Sequence, residues 1–514
     1  MEARVNRGPS VAAATPLTKS EAGGGKRRLI MASNRGPLAH HVDGNGELCT
    51  RGNPGGVATA LSALTADVPL TWFANVMGEG DRVLAETGEA IGLGQEKRLR
   101  LVAPDRESND LFYGTFCNPT LWFLHHNLWD RMERSYSARE LRNAWEHGYL
   151  TVNQTFAEAI VAELDRARGH ASVMLHDYHF YAAPLFIRNL RPHAALQQFI
   201  HIPWPEPDAW SQLPRDIVQS ICEGLLANDS VVFQTEQYAE HFVATCEAYL
   251  ATRTTPLLDG VVYRGRRTRV WANPVSVDIW DLRSRLAQPK AQEARARLEA
   301  KAGERTIVRV DRLDPSKNVA GGFRAYGRLL EQHPEWRGKV RFLAFLVPSR
   351  TAIPEYRHYE AETFAEVTAI NRRYGTLDWT PITLFYEQNR AQALAALSLY
   401  DVLLVNPLVD GLNLVSKEGP VLNERDGVLV LSSTAGSFAE LQGGAIAVDP
   451  FDIEAGADAL HQALSMDDGE RRERAQRLRS AIFRHDLARW LRLLLEDLEG
   501  IAGAAPAVRA FPGY

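Results

Sequence analysis

The strongest constraint on the fold is an alternation of short apolar runs with longer helical patterns, and it occurs twice along the chain. In the first series, LIMAS (29–33), TWFANV (71–76), SVML (172–175), QQFIHI (197–202) and SVVFQ (230–234) read as strands. Helical patterns separate them, over 57–64, 184–190 and 215–226 among others. Short apolar runs bounded by polar loops are the mark of strands buried on both faces of a parallel sheet. A second series follows Asn273-Pro274: strands over 306–310, 341–346, 381–385, 402–405, 427–432 and 445–449, and helices over 281–302, 319–331, 355–374, 390–399 and 453–464. The pattern predicts an α/β protein of two Rossmann-like domains with a cleft between them. We expect a disordered tail over 1–27, a first domain over 28–276 and a second over 277–483, with a linker near 274–280. An amphipathic pattern over 484–499 puts Leu487, Trp490, Leu491, Leu494 and Leu495 on one face. That helix either finishes the second domain or crosses back onto the first.

At 514 residues the chain is too long for one ordinary core. With 45% hydrophobic and 24% charged residues and a net charge of −5, it has neither a basic block for nucleic acid nor much to attract a membrane. No apolar stretch approaches the roughly 20 residues needed to span a bilayer. Cys49, Cys117, Cys222 and Cys246 form no CxxC pair, which argues against zinc or a disulfide framework and for a reducing, cytoplasmic setting. Small-molecule chemistry is the class that fits. Homo-oligomerisation stays open.

Several strand ends carry chemistry. The stretch DVLLVNPLVDGLNLVSKEGP (401–420) is a strand, a loop with Asp410-Gly411, and a helix start near Leu414 with Glu418 in its first turns. Such a crossover suits a negatively charged group, and it also occurs with no ligand at all. In VRVDRLDPSKNVAGG, Arg312 and Lys317 leave a strand just before a helix, where two cations and free amides suit a diphosphate. Arg350 in LVPSR offers a forked donor for a phosphate or carboxylate. Ser33-Asn34-Arg35-Gly36 is a third cationic loop, and Gly55-Gly56 is either a close-approach pair or a turn. Asp177 in LHDYHF and His201 in FIHIPWP also stand at strand ends, although a single histidine is commonly structural. Tyr113, Phe116 and Trp122 read as core or as the wall of a sugar site. Neither a DxD-type acidic pair for a metal-bound diphosphate nor a GxxxxGK[ST] loop is present. The pattern is therefore that of a nucleotide-sugar site with no metal and no separate cofactor.

Taken together, SNRGP, the Gly55-Gly56 loop, the span from Tyr113 to Trp122, HDYH, HIPWP, RLDPSK, VPSR, GTLDWTPI and DGLNLVSKE resemble the trehalose-6-phosphate synthase family, retaining glycosyltransferases of the GT-B fold. The resemblance covers about Leu29 to Leu498. It implies that Arg312 and Lys317 bind the donor diphosphate and Glu418 its ribose. Asp410 and the backbone of Gly411, Leu412, Asn413 and Leu414 would take the sugar hydroxyls, with Gly56 closing over the donor. Arg35 and Arg350 would grip the acceptor phosphate, Tyr113 and Trp122 would line its pocket, Asp177 would lie near the reacting hydroxyl and His201 beside the donor sugar. By the same resemblance the catalytic set is Asp177, His201, Arg312 and Lys317. The substrates implied are a nucleotide-glucose, UDP-glucose first with GDP- or ADP-glucose as alternatives, and glucose 6-phosphate, giving trehalose 6-phosphate.

Two features depart from the family pattern. Gly419-Pro420 interrupts the helix after KE, which predicts a kink beside the ribose site, because proline has no backbone donor. Asn318 stands where glycine is frequent. Both, with NERD (423–426), resemble the pseudo-glycosyltransferase branch that joins a nucleotide-cyclitol to an amino-cyclitol phosphate. That coupling and glucosylglycerol-phosphate synthesis from glycerol 3-phosphate are the alternative reactions. A glycosidase would need two carboxylates roughly 5–10 Å apart around the bond, and Asp177 with Asp410 could imitate them, but the cationic loops would then lack a purpose. A catalytically silent sugar-phosphate sensor is the alternative of another class. Such proteins typically lose diphosphate or acceptor residues, whereas this chain keeps them.

Overall fold

The computed structural model describes residues 27–503 apart from 45, 53–60, 62–67, 95, 133–135, 169, 251–259 and 302. Gly55, Gly56, the tail through residue 26 and, Leu61 excepted, the helix expected over 57–64 lie outside the described residues.

The first half is built on β1 (Arg28–Ser33), β2 (Leu38–Val42), β3 (Leu48–Gly52), β4 (Leu70–Asn75), β5 (Ile91–Gly92), β6 (Lys97–Val102), β7 (Ala171–His176), β8 (Ala195–Phe199), β9 (Ser230–Phe233), β10 (Gly260–Tyr263) and β11 (Arg266–Ala272). Nine of these make one sheet in the order β10-β11-β9-β8-β7-β1-β4-β6-β5, while β2 and β3 form a separate hairpin. The sheet is parallel except at its edges, where β10 and β5 run antiparallel. β4, β7, β8 and β9 are buried along their whole length, so β4, β7 and β9 read as largely apolar runs, while β8 buries Gln197 and Gln198 among its apolar residues. In the hairpin His40, His41 and Arg51, in β6 Lys97, Arg98 and Arg100, and in β11 Arg266, Arg267 and Arg269 interrupt the apolar residues, so these strands leave no such run.

The second half carries β12 (Arg305–Arg312), β13 (Val340–Val347), β14 (Ile382–Tyr386), β15 (Val402–Val405), β16 (Val428–Ser432) and β17 (Ile446–Val448). They form an all-parallel six-stranded sheet in the order β14-β13-β12-β15-β16-β17. Separate apolar clusters cover its two faces, one led by Phe323, Tyr326 and Phe342, the other by Leu397, Leu403 and Leu431.

Strand order fixes where ligands can enter. In the first sheet the chain winds one way from β1 through β4 to β6 and the other way from β7 through β8 to β9, so the order reverses between β1 and β7. In the second it reverses between β12 and β15. A crevice opens at the carboxyl ends of the strands at such switch points. Arg35 and Asp177 follow β1 and β7. Arg312, Lys317 and Asp410 lie at the ends of β12 and β15.

Two helical expectations need correction. The pattern over 281–302 is two helices, Ile279–Leu286 and Pro289–Glu299. Pro289 forces the break: it has no amide to donate and holds Gln288 extended, at φ −66° and ψ 148°. Conversely, Val415–Leu422 continues as one helix through Pro420. It ends two residues later, so the proline forfeits a single hydrogen bond. Gly419 is needed there, because a Cβ would come within 2.2 Å of Leu403 Cδ2.

The last helix, Leu487–Gly503, crosses back onto the first sheet. Trp490 packs edge-on against Phe199 of β8 with ring centres 5.3 Å apart. Gln197 donates to Asp497 at 2.7 Å, and Asn273 to the Trp490 carbonyl at 3.1 Å.

Candidate active site

β12 ends in a turn over Pro315–Lys317, capped by Asp314, whose carboxylate accepts from the Ser316 amide at 3.1 Å and its hydroxyl at 3.0 Å. The other Asp314 oxygen accepts from Arg350 Nη1 and from the Tyr356 hydroxyl, each at 3.0 Å. Trp122 Nε1, from the first domain, reaches Asp314 at 3.4 Å. Burial opposes ionisation of this carboxyl, but Arg350, Arg312 and Lys317 outweigh it and hold it at about 2. Asp314 was not singled out in the sequence. Its place before Pro315, as a capping aspartate in a cationic loop, is the signal that could have found it.

Arg350 sits at the hub. Its guanidinium lies 4.0 Å from the centre of the Trp122 ring, and Arg312 lies 5.6 Å from the same ring. A further nitrogen approaches the Tyr178 hydroxyl at 3.5 Å. From the loop after β1, Arg35 donates to the Tyr113 hydroxyl at 3.2 Å. Burial pushes the Tyr113 phenol up, yet Arg350 and Arg35 more than reverse this, leaving it below its ordinary value. Arg35, Tyr113, Trp122, Arg312 and Arg350 thus converge from both domains, Tyr113 and Trp122 from helical turns over 111–125, Arg312 from the end of β12, and Arg35 and Arg350 from loops.

Lys317 pairs with the Asp410 carboxylate, which also accepts from Asn413 Nδ2 at 3.0 Å. Burial alone would raise the Asp410 carboxyl, and the Lys317 charge brings it below the usual range. The Asp410 loop is pinned to the first domain by the Tyr238 hydroxyl, which donates to the Asp410 carbonyl at 3.0 Å. Gly411 packs so closely on that domain that a Cβ would fall 2.1 Å from the His201 carbonyl oxygen. Leu412 is buried in the cluster containing Met31 and Phe199, and Leu414 flanks it. Asn413 caps the helix that follows, accepting from the Ser416 amide at 3.2 Å. Glu418 stands apart from this group, in a two-pronged pair with Arg390 at 2.6 and 2.9 Å.

Asp177 and His201 form the floor on the first-domain side. Asp177 accepts from the His201 amide at 3.1 Å, and burial pushes its carboxyl up to about 7. His201 Nε2 meets His176 Nδ1 at 3.2 Å, and burial lowers the His201 imidazole to about 3, so it is neutral. Four site residues hold positive φ: Asp177 (73°), Asn318 (55°), Arg350 (44°) and Asn413 (83°). At Asp177, with ψ 179°, this is backbone space that side chains normally avoid. Strain of that kind persists where surrounding contacts over-determine it. Asn318 explains its own departure from glycine, since asparagine is among the few residues that tolerate the left-handed region.

One buried group went unnoticed in the sequence. Arg309, inside β12, is fully buried beneath the Lys317 turn. An arginine in the middle of an apolar strand is the signal that could have flagged it.

The site chemistry is therefore a cleft with cations from both domains, a neutral imidazole and a carboxyl that titrates near neutrality. The sequence matches the family model described as glycosyltransferase family 20 over residues 27–500. It is 31% identical to the UDP-forming alpha,alpha-trehalose-phosphate synthase of Botryotinia fuckeliana, covering 96% of this chain and 91% of that one. It is 33% identical to the bifunctional trehalose-6-phosphate synthase/phosphatase of Thermoproteus tenax, covering 90% of this chain but spanning only 62% of that longer protein. Among solved structures, an E. coli trehalose-6-phosphate protein bound with UDP-2-fluoro glucose superposes with a TM-score of 0.80 at 28% identity, over 93% of this chain and 100% of that one. A Burkholderia xenovorans alpha,alpha-trehalose-phosphate synthase in complex with glucose-6-phosphate gives 0.79 at 28% identity, over 92% and 100%. The architecture is GT-B, and with nearly its whole described length matched, the chain belongs to glycosyltransferase family 20.

Proposed function

We propose that the chain transfers glucose from UDP-glucose to the anomeric hydroxyl of glucose 6-phosphate, giving trehalose 6-phosphate and UDP. The observation that carries this reading is the sorting of cations in one cleft. Arg35 and Arg350 face each other through Tyr113, as a clamp for the acceptor phosphate. Arg312 and Lys317 stand at the β12 end, as the seat of the donor diphosphate. Two phosphate-bearing substrates call for two such groups, and the ligands named for the E. coli and Burkholderia structures are of those two kinds. Asp410 and the backbone from Gly411 to Leu414 would take the donor sugar, Glu418 the ribose, and Gly56 would close over the donor.

Two of these cations have carboxylate partners within the site: Lys317 pairs with Asp410 and Arg350 with Asp314. Substrate phosphates would compete with those carboxylates for the cations, and the pairing leaves neither charge buried without a partner. In the reaction, the bond from the anomeric carbon to the diphosphate breaks and a bond to the acceptor oxygen forms on the same face. The acceptor proton passes to the departing diphosphate oxygen. Lys317 and Arg312 stabilise the charge on that group, so the chain's own cations do the work a metal would otherwise do. Asp177 and neutral His201 orient the sugars, and closure excludes water.

The test is incubation with UDP-, GDP- or ADP-glucose against glucose 6-phosphate or glycerol 3-phosphate, in EDTA, with nucleotide release and product mass followed together. A disaccharide phosphate formed from UDP-glucose and glucose 6-phosphate is the expected result. Product from glycerol 3-phosphate alone, or none from any pair, would overturn the reading.

A further inference from the structure

Arg309 is a cation with no route to solvent. Its Nε faces Asp311 at 3.0 Å. Its Nη1 donates to Asn406 Oδ1 at 2.5 Å and approaches the Asn318 carbonyl at 3.5 Å, and its Nη2 donates to the Lys317 carbonyl. The side chain fits because residue 322 is glycine: a Cβ there would lie 2.5 Å from Nη1. Nothing about strand packing asks for this group. An apolar side chain would fill the same position in a parallel sheet, and buried ion pairs are in general no more stabilising than the apolar residues that could replace them.

Its partners supply the reason. Lys317 and Asn318 form the turn that leaves β12, and Asn406 opens the loop that leaves β15 and carries Asp410. Those are the two loops on either side of the switch point, and they meet above Arg309 in the Lys317–Asp410 pair. Holding the carbonyls of Lys317 and Asn318 downward directs the Lys317 side chain up to the cleft. The planar fork spans both loops at once, which a flexible ammonium cannot do.

We infer that Arg309 is a positioning residue for donor binding: it fixes the separation of the Lys317 turn and the Asp410 loop, and so the shape of the diphosphate seat. The inference rests on the reading of Lys317 as a diphosphate ligand.

The experiment measures UDP affinity by calorimetry, together with KM for each substrate and the thermal midpoint, in wild type, Arg309→Lys, Asn406→Ala and Lys317→Ala. A misplacement of about 1 Å can cost on the order of 100-fold. We expect Arg309→Lys to weaken UDP by roughly 10-fold or more and raise the donor KM alike, with the KM for glucose 6-phosphate changed less than about 2-fold. Lys317→Ala should weaken UDP as well. If Lys317→Ala weakens UDP and Arg309→Lys does not, or if both substrates weaken equally, the inference falls while the donor reading stands. Wild-type UDP affinity in Lys317→Ala would instead overturn the donor reading itself. Should Arg309→Lys not fold, Asn406→Ala decides, because it leaves the guanidinium in place and frees one loop. Unchanged UDP affinity in that variant would overturn the inference.

Discussion

Arg350 lies over Trp122, its guanidinium carbon 4.0 Å from the ring centre, while the indole Nε1 reaches Asp314 at 3.4 Å. The charge of Arg350 is thus aimed from below by an aromatic face of the other domain and from the side by a carboxylate. Replacing it by lysine loses both the flat stack and the fork. Arg350→Lys is expected to raise the KM for glucose 6-phosphate by about 10- to 100-fold, with UDP affinity nearly unchanged. Initial rates at varied acceptor, with UDP calorimetry alongside, provide the check, and an unaltered acceptor KM would remove Arg350 from the phosphate clamp.

Lys317 would act late, as negative charge grows on the leaving diphosphate. Lys317→Ala should lower kcat by roughly 100- to 1,000-fold, the scale for losing one preorganised stabiliser of developing charge. Single-turnover rates at saturating donor separate this from weak binding. A near-normal rate there would count against the role.

Asp314 ties stability to acid. Its carboxyl is held at about 2, below the unfolded value of 3.8. The folded protein therefore binds this proton less readily, and the stabilisation is complete above about pH 4 and disappears as pH falls towards 2. The shift corresponds to about 2 kcal/mol. Urea unfolding of wild type and Asp314→Asn should show wild type ahead at pH 6, with the gap closing below pH 4. A gap that does not change with pH would contradict it.

Asp177 has the opposite sign. Burial raises its carboxyl from 3.8 to about 7, so the folded state holds the proton more tightly than the unfolded chain. Its contribution is fully present below about pH 4 and is lost as pH rises through 7. Asp177→Asn should match wild type in thermal midpoint near pH 4.5 and exceed it by roughly a few degrees at pH 8, while losing turnover. Equal midpoints at both pH values would show that the carboxyl is not shifted.

Gly411 packs directly on the first domain, and a Cβ added to it would fall 2.1 Å from the His201 carbonyl oxygen. Gly411→Ala is expected to hold the domains apart and lower kcat/KM by about 100-fold. Small-angle scattering should report a larger radius of gyration. A variant with wild-type scattering and rate would mean that the contact yields cheaply.

The parts of this molecule most open to sequence reading were those where one residue's neighbours are its sequence neighbours. β15 is legible over 402–405 because burial on both faces leaves an uninterrupted apolar run, β13 nearly so, and β12 in spite of the arginine at its centre. Strand ends could then be matched to charged loops, which is how Arg35, Asp177, Lys317 and Arg350 came into view. β2, β3 and β11 are not legible because polar and charged residues, His40 and His41, Arg51, and Arg267 and Arg269, break the run. Arg309 and Asp314 escaped for another reason: their meaning lies in partners such as Asn406 and Trp122, 97 and 192 positions away in the chain. The helix after Asp486 was recognisable by its apolar face, but its choice of domain depended on Phe199 and Gln197, which spacing could not supply.

That last helix also sets an order of events during synthesis. Leu487, Trp490, Leu494 and Leu498 are buried against strands made some 300 residues earlier, Gln197 and Asp497 being exactly that far apart. The amino-terminal sheet emerges from the ribosome first and packs one face on its own helices, but its other face, around Phe199, is not fully covered until residue 498 is made. Until then, the surface around Phe199 and Met174 is exposed on a nascent chain, where a holdase-type chaperone would find it. A chain cut short after the second sheet would therefore leave an apolar face of the first sheet open to water.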